Sequence, residues 1–176
     1  VGVMALAGTM VEPLAGSPHL EYLWWDLMQR RTRVWALAEC LDVAIDRPAA
    51  VPPAPSTRAP VLRMLEDAIG QLRPATKQDR YQQRSLSLLA RCATHADAVG
   101  PELDAQSTSE IATLTGTTPG SRADADGALE RFVLSAGPEH DRELGQLFGR
   151  DVERSVLTYA PLADRLVGYD LAPVVL

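Results

Sequence analysis

The sequence predicts an all-α fold: a single-domain helical bundle of six or seven helices over residues 1–176, with a long Trp-bearing helix near the N-terminus. Three observations predict it. Apolar residues recur at steps of three and four along most of the chain, and no window alternates with a period of two. Aromatics make up 5% of residues against 46% apolar overall, so Leu, Ala and Val must fill the interior, and Ala is the best helix former. Pro and Gly gather between the periodic stretches, where they punctuate helices, and no repeat of 20–50 residues is present.

The longest periodic stretch runs from Ser17 to Asp46 and holds all three tryptophans. Leu20, Trp24, Leu27, Arg31, Val34, Ala38, Leu41 and Ile45 share one helix face. Ser17 suits the N-cap and Pro18 the first helical position, and Asp46-Arg47-Pro48 closes a helix of about eight turns. Ahead of it, residues 1–16 are apolar and broken by Gly and Glu12-Pro13. They read as an N-terminal arm, either a short helix, an extended segment lying on the bundle, or an arm exchanged with a second subunit. Behind it, residues 47–60 carry Pro48, Pro52, Pro53, Pro55 and Pro60. This density forbids helix and favours polyproline II, a stiff connection or a segment for a proline-binding partner.

The next helix spans Pro60–Leu72, with Val61, Leu62, Leu65, Ala68, Ile69 and Leu72 on one side. Thr76 and Asp79 have capping-box spacing and open a helix that Gly100-Pro101 stops after Val99. Its buried face would be Tyr81, Leu88, Leu89, Cys92, Ala96 and Val99. Ser107 and Glu110 repeat the capping spacing and predict a short helix over Thr108–Thr115. Residues 116–121 form a loop, Ala123–Ala136 a helix, and Gly137-Pro138 opens another running to about Tyr159, with Leu144, Leu147, Phe148 and Val152 inward. Acidic Glu139, Asp141 and Glu143 suit its first turns, where the helix dipole favours negative charge. A last short helix over Pro161–Val167 ends at Gly168, and residues 169–176 form an extended apolar tail.

Composition excludes several classes of function. A net charge of −6 argues against general nucleic-acid binding, which needs a basic face. Lys77 is the sole lysine, so cationic charge is nearly all Arg, suited to acid–Arg ladders on helix surfaces. The apolar opening over Val1–Val11 is too short to span a bilayer and lacks the basic start of a signal peptide, so a cytoplasmic protein without membrane contact is expected. Cys40 and Cys92 fall in separate helices and make no disulfide framework. The chain has no P-loop, no dinucleotide-binding glycine pattern, no His-Glu-x-x-His and no Cys-x-x-Cys. No Glu stands three residues before a His, as the di-iron bundles require. Neither a metal nor a cofactor is expected.

Three places merit chemical attention. Arg31 sits on the apolar stripe, and a buried guanidinium needs an anion, either a ligand carboxylate or an acid on a neighbouring helix. His95 stands one turn from Cys92, a spacing that could share a metal or activate the thiol, but with His19 and His140 far off in sequence the expected reading is a surface or core histidine. Trp24 and Trp35 lie on or beside the stripe, whereas Trp25 points to another side and is the expected interface anchor.

Residues 36–80 contain Leu-Ala-Glu-Cys-Leu-Asp, a Pro-rich bend, Leu-Glu-Asp-Ala-Ile and Lys-Gln-Asp-Arg. This quarter of the chain resembles the late helical part of the histidine and aromatic ammonia-lyases. The Ala-Ser-Gly triplet that forms that family's electrophile is absent, so the resemblance implies helix and no activity.

Two functional expectations follow. The first is a non-catalytic binding or assembly protein that self-associates as a homodimer, with the Trp-bearing helix near the interface. The second is a small helical enzyme or sensor that holds an acidic small molecule between helices. There Arg31 would orient the ligand among Trp24, Trp35, Tyr81 and His95.

Overall fold

A computed structural model describes residues 19–163, and among them are six α-helices, one 3₁₀ turn and no strand. The helices are α1 (His19–Cys40), α2 (Ala59–Gly70), α3 (Lys77–Thr115), α4 (Arg122–Ser135), α5 (Asp141–Thr158) and α6 (Ala160–Ala163), with the 3₁₀ turn at Pro138–His140 before α5. The expected N-terminal arm, the Ser17-Pro18 cap, the last helix beyond Ala163 and the C-terminal tail lie outside the described residues.

The spine of the bundle is α3, 39 residues and roughly 58 Å long. Thr76 and Asp79 cap its start reciprocally: Asp79 N–H donates to Thr76 Oγ1 at 3.0 Å and Thr76 N–H to Asp79 Oδ2 at 2.9 Å. The expected stop at Gly100-Pro101 does not occur, and the separate helix over 108–115 is the far end of the same rod. Pro101 disturbs the carbonyls of the turn before it. One of these, Ala98 O, accepts the backbone N–H of Ala54 at 2.9 Å, and Arg58 pairs with Asp97 on the same turn. The proline-rich connection therefore meets α3 at the turn just before Pro101. Gly116, in the left-handed region at φ 65°, ends the helix.

Helix α1 is shorter than its apolar pattern. Asp42 adopts φ 51°, and the reversal is a Schellman motif: Val43 N–H donates to Ala38 O at 2.9 Å and Asp42 N–H to Glu39 O at 3.1 Å. Val43 and Ala38 are both buried, which supplies the apolar contact that usually accompanies the motif. Periodicity continued to Ile45 because Leu41, Val43 and Ile45 still face the core, as an extended strand of chain lying on α5. Gly145 and Gly149 of α5 make room for it. A β-carbon on Gly149 would stand 2.7 Å from two carbons of Ile45, and one on Gly145 3.5 Å from Leu41.

α5 runs antiparallel to α3 and also packs on α1, while α4 folds back on the far end of α3. Ser121 caps α4, accepting from Asp124 N–H. Two apolar clusters fill the bundle. Leu88, Cys92 and Leu162 are joined by Leu23, Trp24, Leu89 and Tyr159. Ile111, Ala125 and Leu147 are joined by Leu114 and Leu129.

Among the described residues, the one substantial neighbour of α2 is α3. Gln83 secures the join, its amide donating to Ile69 O at 2.9 Å and Leu72 O at 3.2 Å at the end of the helix. The single buried face expected for α2 splits in two. Ile69 is buried and Leu62 half-buried, but Val61, Leu65 and Leu72 lie exposed with Met64.

Candidate functional site

Helix α5 turns four charged residues toward its neighbours: Arg150, Asp151, Glu153 and Arg154. Its apolar positions Leu144, Leu147 and Val152 hold that face inward, so these charges are carried into the bundle. Unpaired, each would be costly to bury, and each has a partner.

On the α1 side, Glu153 is 6% exposed and accepts Arg31 Nε at 2.7 Å and Trp35 Nε1 at 2.8 Å. The Trp35 ring has the Arg31 guanidinium 5.3 Å from its centre and that of Arg47 at 5.5 Å. On the α3 side, Arg154 is 5% exposed. Its Nη1 donates to Ser107 Oγ and Glu110 Oε2, each at 3.2 Å, and its Nη2 donates to Glu110 Oε1. Arg150 Nε reaches the same Glu110 carboxylate at 3.0 Å. Ser107 in turn donates to Asp151 Oδ1 at 2.8 Å, and Arg122 of α4 closes the network on Asp151 at 3.1 Å. Burial works against the Glu110 carboxylate, but the hydrogen bonds from Arg154 and Arg150 outweigh it and hold its pKa below the usual carboxylate range. Arg154 Nε, Trp24 Nε1 and Ser85 Oγ are buried without a partner among the described residues.

Beside this network a cleft of about 410 Å³ opens between α3 and α5. Leu114 and Leu147 give it an apolar wall, while Ser109, Gln146, Glu143 and Arg150 supply polar groups.

The residues singled out in the sequence do not converge on one pocket. Arg31 and Trp35 meet on Glu153, so the anion beside Arg31 is an acid of a neighbouring helix. A ligand anion there would have to compete with that carboxylate. Trp24 packs in the cluster around Cys92, with its ring centre 6.3 Å from that of half-buried Trp25. His95 Nε2 lies 3.0 Å from Leu157 O, a bond in which the ring donates and ties α3 to the end of α5. Tyr81 is half-buried near the start of α3, some 21 Å along the helix from His95. Burial pushes the Cys92 thiol up, away from the activated range, and both Cys40 and Cys92 are free. No three His, Cys, Asp or Glu side chains among the described residues cluster as a metal site would.

Sequence reasoning missed Glu153, Arg154 and the role of Glu110. A signal for them exists. Leu144, Leu147, Asp151 and Arg154 continue one helical face, so charges occupy core positions, as Arg31 does on α1. The Ser107–Glu110 spacing read as a helix start is instead two residues on one face of α3, both engaged by Arg154.

Compared with protein-family models, with curated proteins and with solved structures, the chain matches none of them.

Proposed function

We propose that the chain is a non-catalytic helical assembly protein of the cytoplasm, and that it acts as a homodimer joined through the open stripe of α2. The observation that carries this reading is the exposure of Val61 (67%), Met64 (70%), Leu65 (48%) and Leu72 (49%). Val61, Met64 and Leu65 share one helix face within about 100° of arc, beside rather than on the face that meets α3, and Leu72 lies exposed just past the helix end. Together they leave on the order of 400 Å² of apolar surface in water, a size that commonly marks an interaction site.

A second copy is the occupant that fits. Helix α2 and its two ends carry Arg58, Arg63 and Arg73 against Glu66 and Asp67. Here the charge is nearly balanced, whereas the whole chain carries −6, so two copies meet at α2 without the repulsion their net charge would otherwise impose. Pairing two stripes about a two-fold axis buries roughly 800 Å² of apolar surface, and the flanking residues bring the total into the ~1,200–2,000 Å² of a stable interface. Trp25, the anchor expected from sequence, offers less, because it is half-buried against Trp24. The non-catalytic part rests on the α5 network, where Glu110, Asp151 and Glu153 are each engaged by an arginine. Two free cysteines suit a reducing compartment.

Light scattering on the intact chain should give twice 19.0 kDa, and Met64→Asp should give 19.0 kDa with an unchanged helical circular dichroism spectrum. A wild-type mass of 19.0 kDa at all concentrations, or a dimer indifferent to Met64→Asp, refutes the reading.

A further inference from the structure

We infer that the cleft between α3 and α5 binds a dipeptide-sized zwitterion, a ligand with an ammonium at one end, a carboxylate at the other and an apolar side chain between them. Its volume of about 410 Å³ lies at the small end of the range for ligand sites. What singles it out is polarity arranged along its length. At one end stands Arg150, three-quarters buried, whose Nε is fixed on Glu110 while its two terminal nitrogens have no hydrogen-bond partner among the described residues. Behind it Arg154 grips the same carboxylate, so Arg150 is held in place rather than neutralised alone. At the other end stands Glu143, whose only partner among the described residues is His140, at 3.2 Å.

Glu143 and Arg150 are two turns apart on α5, about 10 Å along the axis, and the longer Arg side chain leans back toward the N-terminus. Their charged ends therefore stand roughly 6–10 Å apart, the separation of the termini of an extended dipeptide. Arg150 and Arg154 balance Glu110 and Glu143, so a simple anion or a simple cation would leave one end of the cleft unmatched. A zwitterion matches both. Leu114 and Leu147 form the apolar wall for a side chain, and Ser109 and Gln146 can bond the central peptide group.

The test is titration of the intact protein with Ala-Leu dipeptide, followed by calorimetry and by amide chemical shifts. Saturable binding is expected, with shifts confined to residues 109–114 and 143–150. N-acetyl-Ala-Leu and Ala-Leu amide should each bind more weakly, by roughly two- to ten-fold. Glu143→Gln lies on an exposed side chain and should keep the fold. It should weaken the free dipeptide about two- to five-fold and leave the acetylated one unchanged. Absence of saturable binding, equal binding of the blocked peptides, or indifference to Glu143→Gln overturns the inference. None of these readouts depends on the oligomeric state tested above.

Discussion

Arg31 of α1 and Glu153 of α5 form a near-buried ion pair, Nε to Oε1 at 2.7 Å, with side chains 20% and 7% exposed. Trp35 donates to the same oxygen, so one carboxylate fixes two residues of α1 one turn apart. Removing the acid alone leaves a guanidinium and an indole N–H without that partner in a largely buried seam. Glu153→Ala should destabilise by about 3–5 kcal/mol in urea unfolding, whereas Arg31→Met with Glu153→Leu should cost far less, because it removes both charges. Equal losses for the single and double variants would mean that packing, not charge, holds this seam.

Gly149 sets how closely the chain after α1 approaches α5. Its absent β-carbon would stand 2.7 Å from two carbons of Ile45, closer than real contacts allow. Gly149→Ala should therefore cost about 1–3 kcal/mol despite the higher helix propensity of Ala. Adding Ile45→Ala should recover part of the loss, a non-additivity visible in a double-mutant cycle.

Asp42 pays a conformational penalty at φ 51°, which Gly would not. Its backbone carbonyl accepts from Arg142 Nη1 at 3.0 Å, and its side chain bonds none of the described residues. Asp42→Gly should raise the unfolding free energy by about 0.5–1 kcal/mol, measured by urea midpoint at unchanged slope.

The two thiols should react at very different rates. Cys40 is exposed, whereas Cys92 is 2% exposed in the cluster with Leu88 and Leu162, and burial raises its pKa. A disulfide-exchange reagent should label one thiol at once in native buffer and the second only on unfolding. Cys40→Ser should abolish the fast phase.

The elements that periodicity and caps define were legible: the stripe through Leu27 and Ala38, the face through Leu88, Cys92 and Val99, and the Thr76–Asp79 cap. Helix ends set by tertiary partners were not. Gly100-Pro101 looks like a stop because nothing local shows that Leu103, Ser107 and Ile111 beyond it are buried against α4 and α5. The pattern past Cys40 looks helical because residues 41, 43 and 45 remain inward in a different conformation. Arg31 on an apolar stripe required an anion, but 23 acids were available and only the fold brings Glu153 to it. Glycine at 145 and 149 reads as helix-weakening until the neighbouring chain that needs the space is known.

Glu110 gives the network its pH dependence. Its folded pKa lies below the ordinary value of 4.5, because Arg154 and Arg150 outweigh the effect of burial. In the unfolded chain those partners are gone and the carboxyl titrates near its ordinary value. As pH falls through about 4.5, the unfolded state takes up the proton first, so the Glu110 contribution is complete above that pH and is lost progressively toward its lower folded pKa. Wild-type stability should therefore fall on acidification below about pH 4.5, while Glu110→Gln, already weakened by leaving Arg154 without its carboxylate, should show a shallower fall over the same range. Urea midpoints taken from neutral pH down to about pH 3 check this. Parallel curves would place the acid sensitivity elsewhere, with the Asp79 cap the next group to test, since Thr76 also lowers its pKa.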